Sequence, residues 1–305
     1  MRICIILNPN AGSAEQAAVL HEVVAKRSEV TLRETNRPGQ AREFATEAVR
    51  EGYDLIVAAG GDGTINEVVN GLATNFAAAR LGVIPLGTGN DLARTLAIPE
   101  TPLEALELLT SGPERSLDLI KVEAVGRETV YCINVAAGGF SGQVDEVLTD
   151  ELKASWGPLA YLRGAIGALP DLTGYETIIT WEDGPTHRIE ALNMIVANGR
   201  TAAGGFQVAP LANPEDGLLD VVIVRYGSLL DLAGVVARLL AANYLDSDQV
   251  LHRTARRVHI ASRPGMWFNI DGELLCKEPV TFSVLPQALR VIVGPDYNPD
   301  PTVKS

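Results

Sequence analysis

The chain has 305 residues, 47% of them hydrophobic and 21% charged, with 25 Lys and Arg against 38 Asp and Glu for a net charge of −13. That apolar content suffices for two cores and excludes global disorder. The acidic excess, shared by both halves of the chain, argues against a nucleic-acid partner and against attachment to anionic lipid through a basic patch. Cys4, Cys132 and Cys276 are widely spaced with no C-x-x-C, so neither a disulfide framework nor a thiolate zinc site is expected. The apolar start, residues 3–7, is too short for a signal peptide, and the longest apolar stretch, 229–245, contains Asp231 and Arg238. A soluble cytoplasmic protein is expected.

In chain order, residues 3–7 read as a strand, 14–26 as a helix, 30–33 as a strand and 41–50 as a helix. Residues 54–58 read as a buried strand, 65–72 as a helix and 81–84 as a strand, with helices near 91–96 and 103–109. Strands alternating with helices predict a mostly parallel sheet covered on both faces. From Ser116 the pattern changes. Strand-like runs at 117–124, 130–135, 177–181, 191–196, 219–224, 257–261, 266–270, 280–284 and 289–293 follow with few helices between. Helical inserts are expected near 144–152, 159–169 and 229–240. This half reads as an antiparallel β-sandwich or barrel.

Three glycine-rich loops fall where parallel strands end: Asn8-Pro9-Asn10-Ala11-Gly12-Ser13, Gly60-Gly61-Asp62-Gly63-Thr64 and Leu86-Gly87-Thr88-Gly89-Asn90-Asp91. Glycines admit a ligand close to the backbone, and helix N-termini offer free N–H groups to phosphate. Open α/β sheets bind ligands at the carboxyl ends of their strands, where these loops would converge. One tight turn of this kind carries little; three together point to a nucleotide. Asp62 amid glycines would repel phosphate unless a divalent cation intervened. The dinucleotide G-x-G-x-x-G and the P-loop G-x-x-x-x-G-K-[ST] are both absent. His21, His187, His252 and His259 have no metal-ligand spacing, and no serine sits in G-x-S-x-G.

The segments Gly60-Gly61-Asp62-Gly63-Thr64-Ile65-Asn66-Glu67 and Pro85-Leu86-Gly87-Thr88-Gly89-Asn90-Asp91-Leu92-Ala93-Arg94 closely resemble the diacylglycerol kinase catalytic domain shared by bacterial lipid kinases and sphingosine kinases. The resemblance continues through Asn134-Val135-Ala136-Ala137-Gly138-Gly139-Phe140, Asn198-Gly199-Arg200, Asp216-Gly217-Leu218-Leu219-Asp220 and Asp271-Gly272-Glu273. It implies an α/β domain with a mostly parallel sheet over 1–120, similar to phosphofructokinase and NAD kinase and completed by the tail 292–305. A β-sandwich lipid domain over 121–291 would follow. It implies ATP as donor, Mg2+ as cofactor, a lipid acceptor such as diacylglycerol, phosphatidylglycerol or a sphingoid base, and transient contact with the inner membrane surface. A homodimer stays open.

Residue by residue, the resemblance assigns nucleotide contacts to Asn8, Asn10, Gly12, Ser13, Thr35, Gly60, Gly61, Asp62, Gly63, Thr64, Ile65, Asn66 and Thr88. Glu67 and Asn90 would brace these loops. Asp62, Asp91 and Asp118 match acidic positions around a catalytic magnesium, although helix caps and turns are the plainer reading of Asp91 and Asp118. Asn213, Asp216 and Leu218 resemble a structural magnesium site, and Asp216-Gly217 is also an ordinary turn. Asp271-Gly272 reads equally as a hairpin turn. The resemblance puts the catalytic base there, with Glu273 preferred for its longer arm and Asp271 as its partner.

For the acceptor, Trp156, Leu159, Tyr161, Leu162, Ile166 and Leu169 are candidates for acyl-chain or membrane contact, with core packing as the plainer reading. Arg253, Arg256, Arg257 and Arg263 form the one basic concentration. A solvated strand face accounts for it as well as a lipid headgroup does. A small-molecule kinase of the NAD kinase type and a non-catalytic lipid-binding regulator are the competing readings; the intact Asp62, Asp91, Asp271 and Glu273 argue against the latter.

Overall fold

The computed structural model describes residues 1–12, 14–140, 173–271, 273–277 and 279–301; the side chains of Ala14, Glu15, Glu273, Leu274 and Cys276 lie outside that description. The helices expected at 144–152 and 159–169, and the apolar residues from Trp156 to Leu169, also fall outside it.

The first half alternates β1 (Ile3–Leu7), α1 (Ala14–Val24), β2 (Val30–Glu34), α2 (Gln40–Arg50), β3 (Leu55–Gly60), α3 (Asp62–Leu72) and β4 (Arg80–Pro85), followed by α4 (Asp91–Thr95) and α5 (Pro102–Ser111). β2, β1, β3 and β4 lie side by side in parallel, with Ile3 opposite both Val30 and Leu55 and Leu55 opposite Arg80. Every residue of β1 and β3 is buried, as expected for central strands with helices on both faces. The chain leaves β1 toward β2 on one side and returns as β3 on the other. The loops after β1 and β3 therefore flank the point where the strand order reverses, where open α/β sheets open a crevice.

The second half contains β5 (Glu114–Ala124), β6 (Val130–Cys132), β7 (Val135–Gly139), β8 (Tyr175–Trp181), β9 (His187–Ala197), the short hairpin β10 (Thr201–Ala202) and β11 (Phe206–Gln207), and β12 (Leu219–Arg225). Then come α6 (Leu229–Leu240), β13 (Val250–Ala255), β14 (Arg257–Arg263), β15 (Phe268–Ile270), β16 (Glu273–Cys276) and β17 (Val280–Ile292). Pairing here is antiparallel. β8 alternates strictly between buried and exposed residues, so one face of it meets a core of Trp181, Met194, Phe268 and Phe282. α6, started by the reciprocal Ser228–Asp231 capping box, lays Leu232 and Val235 on the other face of β9 and β12.

Three differences from the sequence pattern have local causes. The run 130–135 is two strands, because the N–H groups of Ile133 and Val135 are taken by the Asp271 carboxylate. The runs 280–284 and 289–293 are one long strand, β17, interrupted by a register shift between Leu285 and Leu289. Among the described residues β13 pairs only with β12; its exposed and half-buried polar residues leave no clean alternation to read. β17 also joins the halves: it runs antiparallel to β5 from Val280 to Ile292 and meets β4 in parallel through Val291.

Candidate active site between the two halves

The three glycine loops touch one another. Asn8 Nδ2 donates to Thr64 Oγ1 at 3.3 Å, and the Leu86 N–H donates to the Gly60 carbonyl at 3.0 Å. A side chain at Gly12, which has φ +108°, would strike the Leu86 carbonyl at 2.5 Å. One at Gly87 would lie 2.6 Å from the Gly61 Cα. Glycine is needed here so that backbones can meet.

Asp62 opens α3, and its carboxylate also accepts the N–H groups of Asp91 and Leu92, both at 3.2 Å, at the start of α4. Asp91 reaches the other half of the molecule: its oxygens accept the N–H groups of Gly204 at 2.9 Å and Gly205 at 2.7 Å. Thr201 Oγ1 donates to the Asp91 carbonyl at 2.8 Å. Burial raises the Asp91 pKa and the Asp62 charge adds to it, against the pull of both glycine N–H groups and of Arg94.

Asp271 follows β15 in left-handed backbone, φ +45°. Its carboxylate accepts from Ile133 at 3.2 Å and Val135 at 3.1 Å. Burial pushes its pKa up to about 7; the Val135 N–H, the Cys132 thiol and the Ile133 N–H pull down, and the Asp62 charge pushes up. The Asp62 charge thus bears on a carboxylate from each half.

Asp118 makes its protein contacts elsewhere. Fully buried in β5, it accepts the N–H groups of Gly217 and Gln287, both at 2.7 Å, while its own N–H donates to the Pro214 carbonyl at 2.8 Å. The register of β5 against β17 aims it at the loop of Asn213, Asp216 and Leu218. There the Leu218 N–H donates to Asp216 Oδ1 at 2.9 Å and the Glu215 N–H to Asn213 Oδ1 at 3.0 Å. Burial first, then the charges of Asp220 and Asp118, raise the Asp216 pKa. A cavity of about 510 Å³ adjoins this loop, lined by Asp118, Glu215 and Asp216 with Arg256 and Arg257. Arg253 instead stacks on Trp181, 4.6 Å from the ring centroid. Among the described residues, no three Asp, Glu, His or Cys side chains enclose a space for an ion by themselves.

The remaining predicted residues separate by role. Glu67 braces α2, accepting from Gly39 at 2.8 Å and Ala41 at 2.9 Å. Thr35 is buried beside β1 and donates through its N–H to the Leu7 carbonyl at 2.9 Å. Asn10 closes the first loop on Asn8 Oδ1 at 3.0 Å, and Thr88 is exposed. Asn90 takes left-handed backbone at φ +50°, and its buried Oδ1 has no partner. Ile65, expected at the nucleotide, points its side chain into the first core because it lies on the inner face of α3. Asn66 Oδ1 accepts from Asn70, which in turn bonds both polar backbone groups of Tyr131 in β6. Ser13, Gly272 and the Glu273 side chain lie outside the described residues.

The hairpin that holds Asp91 was not anticipated. Ala203, Gly204 and Gly205 all have positive φ, so successive N–H groups turn toward one acceptor. The Gly204-Gly205 pair marks a turn in the sequence, but nothing there ties it to a residue 113 positions away.

Residues 2–122 match the model of the diacylglycerol kinase catalytic domain, and residues 134–293 match that of the YegS C-terminal NAD kinase beta sandwich-like domain. These define a two-domain α/β kinase architecture. The diacylglycerol kinase of Staphylococcus carnosus (strain TM300) is 31% identical, covering 97% of this chain and 96% of its own. That of Staphylococcus aureus (strain bovine RF122 / ET3-1) is 32% identical, covering 97% and 93%. The crystal structure of a diacylglycerol kinase from Bacillus anthracis str. Sterne superposes with a TM-score of 0.80 at 26% identity, covering 96% of this chain and 97% of that one. The chain belongs to the diacylglycerol kinase family of lipid kinases.

Proposed function

We propose that this protein transfers the terminal phosphoryl group of ATP to the hydroxyl of diacylglycerol or a related lipid at a membrane surface. The observation that carries the reading is the contact of three glycine loops at the strand ends, two of which carry Asp62 and Asp91, in a chain of this family. Backbone N–H groups of the loops would bind the phosphates, with Thr35 and Thr88 flanking them. Asn90, whose side-chain oxygen lacks a partner, could present its amide N–H to a phosphate oxygen once the amide is turned over.

The donors suit Mg2+, a hard ion usually held through one or two carboxylates plus substrate phosphates. Asp62 and Asp91 would supply those carboxylates; each oxygen already accepts one N–H and keeps a second lone pair. When bound, the ion would offset charge on the phosphates. A second ion would sit on the carbonyls of Asn213 and Leu218 and the Asp216 carboxylate, beside a cavity where Asp118, Glu215 and Asp216 supply oxygen donors.

Glu273, at the start of β16, is the proposed base. The lipid oxygen bonds to the terminal phosphorus, the bond from that phosphorus to the bridging oxygen breaks, ADP leaves, and the hydroxyl proton passes to Glu273. Asp271 has both carboxylate oxygens engaged by backbone N–H groups, so its part is to hold the β6–β7 corner.

The test is steady-state phosphorylation of diacylglycerol and phosphatidylglycerol in mixed micelles with ATP varied. Glu273→Gln keeps size and cannot accept the proton, so kcat should fall by about 10²–10⁴ with ATP affinity little changed. Wild-type kcat in that variant would remove the base from Glu273.

A further inference from the structure

Phosphoryl transfer would bring together the carboxylates of Asp62 and Asp91 and a polyanionic triphosphate, more negative charge than one divalent ion cancels. The three glycine loops, the helices they open, the hairpin β10–β11 and residues 271–276 contain one Lys or Arg between them, Arg94.

Arg94 lies on α4, one turn after Asp91. Its Nε donates to the Gly89 carbonyl at 3.2 Å. Gly89 sits on the carboxylate pair: a side chain there would come 3.2 Å from Asp62 Oδ2 and 3.3 Å from Asp91 Oδ2. The guanidinium also passes over the hairpin that holds Asp91, since a side chain at Gly205 would lie 3.6 Å from Arg94 Nη1 and 3.7 Å from Nε. Its charge reaches the cluster, pulling against the rise in the Asp91 pKa. Its ion-pair partner is Glu100 at 3.8 Å, whose side chain is 77% exposed while that of Arg94 is 43% exposed. A long pair between exposed groups contributes little and exchanges readily. Arg94 is therefore tethered at Nε to the loop carbonyl and only loosely paired at its Nη groups.

Resting on the kinase reading above, we propose that Arg94 is a catalytic residue whose Nη groups leave Glu100 to meet the oxygens of the phosphoryl group being transferred. The planar fork can bond two phosphate oxygens while Nε stays on Gly89; a lysine ammonium can do only one of these at a time. A purely bracing role would hold the loop through Gly89 and affect nucleotide binding and stability instead of the chemical step.

The experiment compares wild type, Arg94→Ala and Arg94→Lys in the mixed-micelle assay, with ADP affinity by calorimetry and Tm measured for each. An arginine on a transferring phosphoryl group is worth about 10³–10⁵ in kcat, so Arg94→Ala should lose about 10³-fold or more. ADP affinity should shift less than about tenfold, with Tm retained and Arg94→Lys recovering only part of the rate. A kcat loss under about tenfold, or a loss confined to the ATP KM and ADP affinity, makes Arg94 a brace and overturns the proposal. Should Arg94→Ala fail to fold, Arg94→Lys decides: lower kcat with ADP affinity kept supports it, unchanged kcat overturns it. An active wild type beside an equally active Arg94→Ala enzyme overturns this inference alone. A wild type that phosphorylates no lipid overturns the kinase reading and this inference with it.

Discussion

Asp271 occupies left-handed backbone, which Asp and Asn tolerate better than other side-chain-bearing residues. Buried, it is held protonated up to about pH 7 in the fold, whereas an unfolded aspartate titrates near 4. Between those values the folded state carries the extra proton. The stability from this group is whole below about pH 4 and is lost as the pH rises through about 7. Magnesium-free wild type should therefore lose more stability than Asp271→Asn across that window, measured by urea unfolding. Parallel pH profiles for the two proteins would remove the assignment. Asp271 stood out in the sequence through the resemblance carried by Asp271-Gly272-Glu273, beside the reading of a hairpin turn. Its two N–H partners did not, because they lie 138 and 136 residues earlier in the chain.

At the scale of elements, the loops work as one surface because glycine lets their backbones meet. Gly87→Ala would drive a methyl group to 2.6 Å from the Gly61 Cα, so the loops must part. Overpacking of this kind costs about 1–3 kcal/mol, so Tm should fall and the ATP KM should rise together. A variant with unchanged Tm and KM would show that the contact between these loops is dispensable. The elements themselves were legible wherever burial imposes a period. Continuous apolar runs identified β1 as a strand and β3 as a buried one, and the helical insert expected near 229–240 coincides with α6. The pattern was silent where side chains replace a strand ladder, as at Ile133 and Val135, and on the edge strand β13.

Across the whole molecule, β17 and the residues after it tie the halves together. Arg200, from the Asn198-Gly199-Arg200 motif, donates to the carbonyls of Asn298 at 2.6 Å, Pro299 at 2.7 Å and Ala212 at 2.9 Å. It thereby fastens the final segment beside the loop of Asn213 and Asp216. If that loop holds magnesium, the wild-type Tm should rise with magnesium concentration, by about 2.7 kcal/mol of stability at a hundredfold excess over Kd. Asp216→Ala should flatten that rise; an equal rise in both proteins would leave Asp216 as a turn residue only. The sequence by itself determined the alternation of strand and helix, the change to antiparallel strands and the three glycine loops, because burial period and glycine placement are local properties. The tertiary structure decided what each carboxylate touches. Asp62 meets the start of α4, Asp91 the β10–β11 hairpin of the other half, Asp271 the β6–β7 corner and Asp118 the Asp216 loop, because strand register and a backbone hairpin, which no local pattern records, set where each side chain points.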